Sequence, residues 1–430
     1  MKNSRALNLL IISNIISGFS QGISMLAVPW YFVSILKMPQ GLTIMYMSML
    51  IGSIFWGLYS GALIDKYSRK NLFLFFSLVC GTILCSAAIT GYILTYVPTF
   101  LVVTVFFATC YFNGVYYPAM YAFAQEISDA SHYGKVNSLL EIQSQAITIA
   151  SGGVAAFLLQ GVDVSSIHIA SINIPIAVHT APWSLSRIFM VDGVTYFIAI
   201  ALIWFIKYTP HTATHNEEGS VWERLKIGNT FLRNHRLILI FGVGSFSIFV
   251  FLLLHFNTLV PIFVVNHLRS NVTTFALTDV YYAIGALLAG VWIRKVFSKV
   301  SAIWAIMLMT AVTAVFLLIC SLSTSVVVYF AFSFILGVTN AGTRILRITY
   351  LFHHIPNHLA GRVNSVLFML GTLCRIGLAM IFSFAFFSQG DNIVWAYIIC
   401  VAFLLVNLGL MIYAYKGLKI KYPDPSVQVH

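Results

Sequence analysis

Runs of twenty or so mostly apolar residues, separated by short polar hops, recur along the whole chain. A helix rises about 1.5 Å per residue, so each run can cross a hydrocarbon core of roughly 30 Å. The runs fall at 6–35, 42–64, 71–94, 98–125, 136–160, 184–207, 236–266, 273–296, 300–320, 325–351, 363–388 and 391–415. They are continuously apolar, as in Tyr196 to Ile206 and Ile393 to Val406. A membrane barrel would instead show alternating segments of about ten residues. The pattern predicts an all-α membrane protein with twelve transmembrane helices. Met1 to Arg5 has the charged start of a secretory leader, yet the apolar run continues to about Ile35 without an A-x-A cleavage pattern. A retained first helix is the expectation.

Composition strengthens this reading. Hydrophobic residues make up 60% of the 430 and charged residues only 8%, with a mean hydropathy of +0.91. A soluble surface needs roughly a quarter of its residues charged, so lipid must be the solvent. The net charge of +12 would suit nucleic acid if it were clustered. Instead the basic residues occupy alternate hops: Lys2, Arg5, Lys66, Arg69, Lys70, Lys135, Lys207, Arg233 and Lys295 fall on one side, and only Lys37, Arg187 and Arg269 on the other. That asymmetry predicts cytoplasmic N and C termini and implies no nucleic-acid partner. The six cysteines lie inside apolar runs without a C-x-x-C pair and read as small buried hydrophobes.

Two connections are long. In 161–183, Ile167-His168-Ile169 and Ile172-Asn173-Ile174 alternate with period two, which suits a short extracytoplasmic hairpin with His168 and His179 as solvated loop residues. The connection 208–235 divides the chain at its middle. Ser220-Val221-Trp222-Glu223 there reads as a capping box, and Trp222, Leu225 and Phe231 can form the apolar stripe of a helix on the membrane surface. The domains expected are an N-terminal six-helix bundle (1–207), a cytoplasmic linker with an amphipathic helix (208–235), a C-terminal six-helix bundle (236–416) and a cytoplasmic tail (417–430).

The two halves repeat each other. Lys135-Val136-Asn137-Ser138-Leu139 recurs as Arg362-Val363-Asn364-Ser365-Val366, and Gly61, Ile64, Lys66 and Lys70 match Gly290, Ile293, Lys295 and Lys299. Both matches fall at equivalent loops, so the repeat is parallel. The segment Gly61-Ala62-Leu63-Ile64-Asp65-Lys66-Tyr67-Ser68-Arg69-Lys70 resembles the loop motif of the major facilitator superfamily, G-x-x-x-D-[RK]-x-G-[RK]-[RK], with Ser68 at its second Gly. The resemblance implies two pseudo-symmetric bundles that rock about a central site, with Gly61, Asp65, Lys66, Arg69 and Lys70 as a gating loop. In the second half Arg294 stands where the Asp would be.

Within that superfamily the chain is most similar to the branch of enterobactin exporters and macrolide efflux pumps. Pro118-Ala119, Asn137-Ser138-Leu139, Met190 to Phe197, Phe231 to Arg236 and Leu259-Val260-Pro261 carry this likeness. It departs at Ser151-Gly152-Gly153, where drug–proton antiporters carry a Gly-Pro pair. The resemblance implies a secondary transporter of the bacterial inner (plasma) membrane. Its cargo would be a small amphiphilic compound, siderophore- or macrolide-like, moved by alternating access as an exporter, with H+ as the coupling ion and a monomer as the working unit. Uptake of a siderophore-like compound, or a non-transporting sensor or assembly partner of the same fold, are the alternatives.

Ionisable residues inside the spans are candidate functional groups, because an intramembrane charge is expensive. Arg375 stands deep in the eleventh span, and Asp192, Glu141 and Asp279 are its possible partners or proton carriers. Arg344 and Arg347 lie toward the end of the tenth span, where snorkelling is expected. Asn14, Ser17, Gln21 and Ser24 share one face of the first helix, as a cavity wall or a helix-packing stripe. Tyr111, Asn113, Tyr117, His255 and Asn257 add aromatic and hydrogen-bonding character suited to a bulky amphiphile. His354 and His358 have metal-site spacing, but Pro356 lies between them and no Glu completes an H-E-x-x-H site. No Walker loop, cofactor site or reactive constellation is present in the sequence, so an enzyme is not expected.

Overall fold

The computed structural model describes residues 4–128, 133–164, 167–169, 172–174, 178–207, 221–297 and 300–422. Within them the chain is almost wholly helical. It begins with α1 (Ser4–Trp30), which passes into a π-turn at Tyr31–Ile35, then α2 (Pro39–Lys66), α3 (Arg69–Leu94), α4 (Thr99–Glu126) and α5 (Tyr133–Gln160). Four short strands follow, β1 (Val162–Val164), β2 (Ile167–Ile169), β3 (Ile172–Ile174) and β4 (Val178–Thr180), and then α6 (Leu185–Trp204) and α7 (Val221–Asn234). The rest comprises α8 (Arg236–Leu254), a π-turn at His255–Leu259, α9 (Val260–Asn266), α10 (Val272–Val296), α11 (Ala302–Ser321), α12 (Val326–His354), α13 (Asn357–Phe382) and α14 (Ile393–Lys421).

Eleven helices among the described residues are long and apolar enough to cross a membrane. The helix α2, 28 residues long, stands where the second span is predicted. The chain is therefore a multi-pass membrane protein. Helix ends depart most from expectation at α13, which starts at Asn357 rather than 363 and ends at Phe382 rather than 388. Pro356 occupies its N-cap, and polar residues after it continue the helix beyond the apolar run. In the same way α14 extends to Lys421.

The alternation in 161–183 forms two nested antiparallel ladders, β1 with β4 and β2 with β3, the inner one pairing Ile167 with Ile174 and Ile169 with Ile172. The side chains of His168 and His179 lie outside the described residues. The helix expected in the linker is α7, but its apolar stripe differs from the expected one. Leu225 and Phe231 pack on the buried cluster that includes Leu232 and Val363, whereas Trp222 is 70% exposed. Ser220 of the anticipated capping box lies outside the described residues.

The first helix of each sequence half loosens beside a proline. Pro29 lies in the last turn of α1 just before the π-turn, and Pro261 opens α9 just after the other. Proline removes a ladder donor, and π-turns mark helices that depart from regular bonding.

The chain forms two compact units. One comprises α1, α2 from Phe55, α3 to α6 and Ser270–Val280, which includes the start of α10; the other comprises Met38–Ile54, α7 to α9, α10 from Tyr281, and α11 to α14. In the first unit, α3 packs along α6 and α1 against α5 and α6. Gly193 makes the α3–α6 approach possible, since a methyl there would lie 2.6 Å from Cys85 Sγ and 3.2 Å from the Gly81 carbonyl oxygen. In the second unit, α8 packs against α12, α13 and α14, and α11 lies between α12 and α14. There α10 and α12 meet backbone to backbone. A methyl on Gly285 would overlap the Phe334 carbonyl oxygen, and one on Gly337 the Tyr282 carbonyl oxygen. Ala286, Ala289 and Ala341 continue that seam, the small-residue packing expected where lipid gives helices no hydrophobic incentive to associate.

Candidate functional site

The loop after α2 is built around the start of α3. Ser68, which stands at the motif's second Gly, is the N-cap: its backbone is extended and its side chain accepts from the Asn71 N–H. A serine there therefore supplies an acceptor that glycine lacks. Arg69 pairs with Glu126 at the end of α4, 3.5 Å away. Lys70 Nζ donates to the carbonyl oxygens of Trp204 (2.7 Å) and Ile206 (2.9 Å), closing the C-terminal end of α6. The backbone of Gly61, Asp65 and Lys66 belongs to α2, while the side chains of these residues lie outside the described ones, as do those of Lys135, Asn137 and Arg294.

The polar stripe of α1 is buried inside the first unit. Asn14 Oδ1 accepts from Tyr116 Oη at 3.0 Å. Gln21 Nε2 donates to Asn113 Oδ1 and to Tyr196 Oη, each at 3.0 Å, and Ser17 Oγ donates back to the Ser13 carbonyl. The Asn14 and Gln21 bonds join α1 to α4 and α6, whereas the Ser17 bond stays within α1. One turn further along, Ser24 is buried on the same face, and on α6 Asp192 is fully buried. The Ser24 hydroxyl faces this carboxyl, with Cys80, Cys85 and Tyr196 near it. Among the described residues no cation pairs with it.

Glu141 accepts from Tyr121 Oη (3.4 Å) and Gln145 Nε2 (3.5 Å). Tyr117 is 44% exposed, unlike its buried neighbour Tyr116. Asp279, expected as a partner for Arg375, falls in the first unit, where Gly152 packs against its Cβ.

The second unit holds the remaining candidates. His255, in the π-turn, is fully buried and bonded through Nδ1 to Tyr397 Oη at 3.0 Å, with Nε2 lacking a partner. Rings of Phe251, Phe256, Phe332 and Tyr397 surround it, with centroids 5.2 to 5.7 Å away. Asn257 Nδ2 bonds within its own helix to the Leu253 carbonyl. Arg375 is 7% exposed and donates to Thr372 Oγ1 at 2.7 Å. It lies eighteen residues into α13 and seven from its end, so it sits somewhat closer to the middle of the helix than to that end.

Arg347 departs from the expectation of snorkelling. Arg344 is exposed, but Arg347 is buried, donates to the Ser245 carbonyl at 3.0 Å and places its guanidinium 3.6 Å from the centre of the Phe246 ring. The signal was present in the sequence: Thr339, Thr343 and Arg347 recur every four residues and all are buried. His354 ends α12 bonded to the Tyr350 carbonyl, and the side chain of His358 lies outside the described residues. Among the described residues no group of three or more His, Cys, Asp or Glu could hold a metal.

Residues 10–376 match the family described as Major Facilitator Superfamily. The chain belongs to the Major Facilitator Superfamily. No curated protein matches it. Solved structures share the superfamily fold at low identity. A bacterial homologue of the human lysosomal transporter Spinster, inward-facing and unoccupied, is 11% identical with a TM-score of 0.71, covering 99% of both chains. The nucleoside transporter NupG is 11% identical with a TM-score of 0.70, covering 96% of this chain and 99% of its own. A D-xylose–proton symporter is 13% identical with a TM-score of 0.67, covering 95% and 97%. Membership in the superfamily supports transport by this chain and points away from an enzyme.

Proposed function

We propose that this protein is a secondary active transporter that exports a small amphiphilic compound, siderophore- or macrolide-like, from the cytoplasm across the bacterial inner membrane. It works as a monomer with both termini cytoplasmic, by alternating access between its two six-helix bundles, and the loop from Gly61 to Lys70 gates the change. The driving ion is the proton. The observation that carries this reading is Asp192, a fully buried carboxyl on α6 that faces the Ser24 hydroxyl and has no paired cation among the described residues. An acid placed inside a membrane helix without a cationic partner is costly to keep and is suited to taking up and releasing a proton. Glu141, already bonded to Tyr121 and Gln145, is less free for that task.

Arg375 supports transport over a non-transporting role. A sealed structural arginine would sit against a carboxylate, and among the described residues Arg375 has none. Direction is tested in cells by deleting the gene and measuring retention of candidate siderophores and macrolides. Retention above wild type supports export. Reduced uptake makes the protein an importer.

A further inference from the structure

From Arg236 to Phe382 the sequence contains one acidic residue, Asp279, and Asp279 belongs with the first unit. Yet two guanidiniums are buried in the second unit, Arg347 on α12 at 6% exposure and Arg375 on α13 at 7%. Neither forms an ion pair among the described residues. Each guanidinium carries five N–H donors, and the bonds to the Ser245 carbonyl and to Thr372 Oγ1 occupy few of them.

The two cations are joined by rings. Arg347 lies 3.6 Å from the Phe246 centroid, and Phe246 meets Phe249 edge-on at 6.3 Å. Phe249 then meets Phe368 at 6.5 Å, and Phe368 lies 5.7 Å from the Arg375 guanidinium. Arg347 is seven residues from the end of α12, and Arg375 seven from the end of α13. These consecutive helices run in opposite directions, so the arginines stand at different depths and the rings span the distance between them.

A buried cation without a counter-charge is costly unless something anionic visits it. Guanidinium matches planar oxyanions through paired N–H groups, and phenyl faces offer stacking to flat apolar rings. The geometry points to an anion path on the second unit: Arg347 and Arg375 are two stations for the carboxylate or similar planar oxyanion of the transported compound, with Phe246 packed in the core behind Arg347, and the half-buried Phe249 and the exposed Phe368 are the rings that its aromatic part meets between them. The cargo is thus an aromatic organic anion, an assignment that rests on the transport reading above.

The test is equilibrium binding to the purified full chain in lipid nanodiscs, with 1-naphthoate and its neutral counterpart 1-naphthamide as probes. The wild type binds naphthoate at least about tenfold tighter, a ratio set by charge-assisted bonds that the amide cannot make. Arg347→Gln and Arg375→Gln each bring the ratio toward one, and Arg375→Lys keeps part of it. Phe368 is 48% exposed, so Phe368→Leu is tolerated by the fold. It weakens naphthoate while leaving cyclohexanecarboxylate unchanged, and serves should an arginine variant fail to fold. The proposal is overturned if the wild type shows no preference, including no binding of either probe, or if the preference survives both glutamine variants. Anion preference without flux in liposomes removes the transport reading alone. Flux without anion preference removes the anion path alone.

Discussion

Lys70 Nζ lies 2.7 Å from the carbonyl oxygen of Trp204, so a cation in the first turn of α3 closes the last turn of α6. The helix end carries partial negative charge and unsatisfied carbonyls, which a lysine ammonium satisfies. Lys70→Met keeps the apolar stem and removes the charge. It should destabilise the protein by about 1 to 2 kcal/mol, the usual worth of charged hydrogen bonds at a partly exposed site. Thermal unfolding in detergent reads this as a lowered midpoint, and an unchanged midpoint would show the cap to be idle.

The α10–α12 seam makes a sharper prediction. Gly337→Ala on α12 pushes a methyl into the Tyr282 carbonyl, whereas a methyl at Gly290 on α10 meets nothing within 4 Å. Gly337→Ala should cost roughly 1 to 3 kcal/mol through overpacking, while Gly290→Ala should be neutral or slightly stabilising through helix propensity. The pair is compared in one thermal-unfolding series, and equal effects would contradict the close approach.

Tyr397 and His255 form a buried pair at 3.0 Å. Tyr397→Phe strips the imidazole of its bonded partner when its other nitrogen already has none. The expected loss is about 1 to 3 kcal/mol, the cost of an orphaned polar group. Replacing both residues, Tyr397→Phe with His255→Phe, should cost less than the sum of the single changes. A double-mutant cycle by thermal unfolding measures this, and strict additivity would show that the bond contributes nothing.

Much of the fold was legible in the sequence because lipid imposes a single demand, long apolar helices, and the chain meets it almost everywhere. The signal of period two in Ile167 to Ile174 also emerged, as the β2–β3 ladder. What escaped was set by partners rather than by periodicity. Trp222 and Phe231 read alike on an apolar stripe, yet only Phe231 finds a core to pack on. Arg347 lay near a helix end, where snorkelling is the usual outcome, and the carbonyl of Ser245 and ring of Phe246 on α8 held it inside. Asn14 and Gln21 were readable as a polar face, but their bonds to Tyr116, Asn113 and Tyr196 depend on how α4 and α6 fall around α1.

The central claim is that this chain couples proton movement through Asp192 to movement of an amphiphile. Its most direct test is proteoliposomes carrying a pH-sensitive dye in the lumen, to which candidate siderophores, macrolides and aromatic acids are added under an imposed pH gradient. The wild type should show compound-dependent proton flux. Asp192→Asn should lower it at least about tenfold, as expected when a proton-transferring group is removed, while compound exchange without a gradient persists. Flux indifferent to the gradient, or unchanged in Asp192→Asn, would contradict the account.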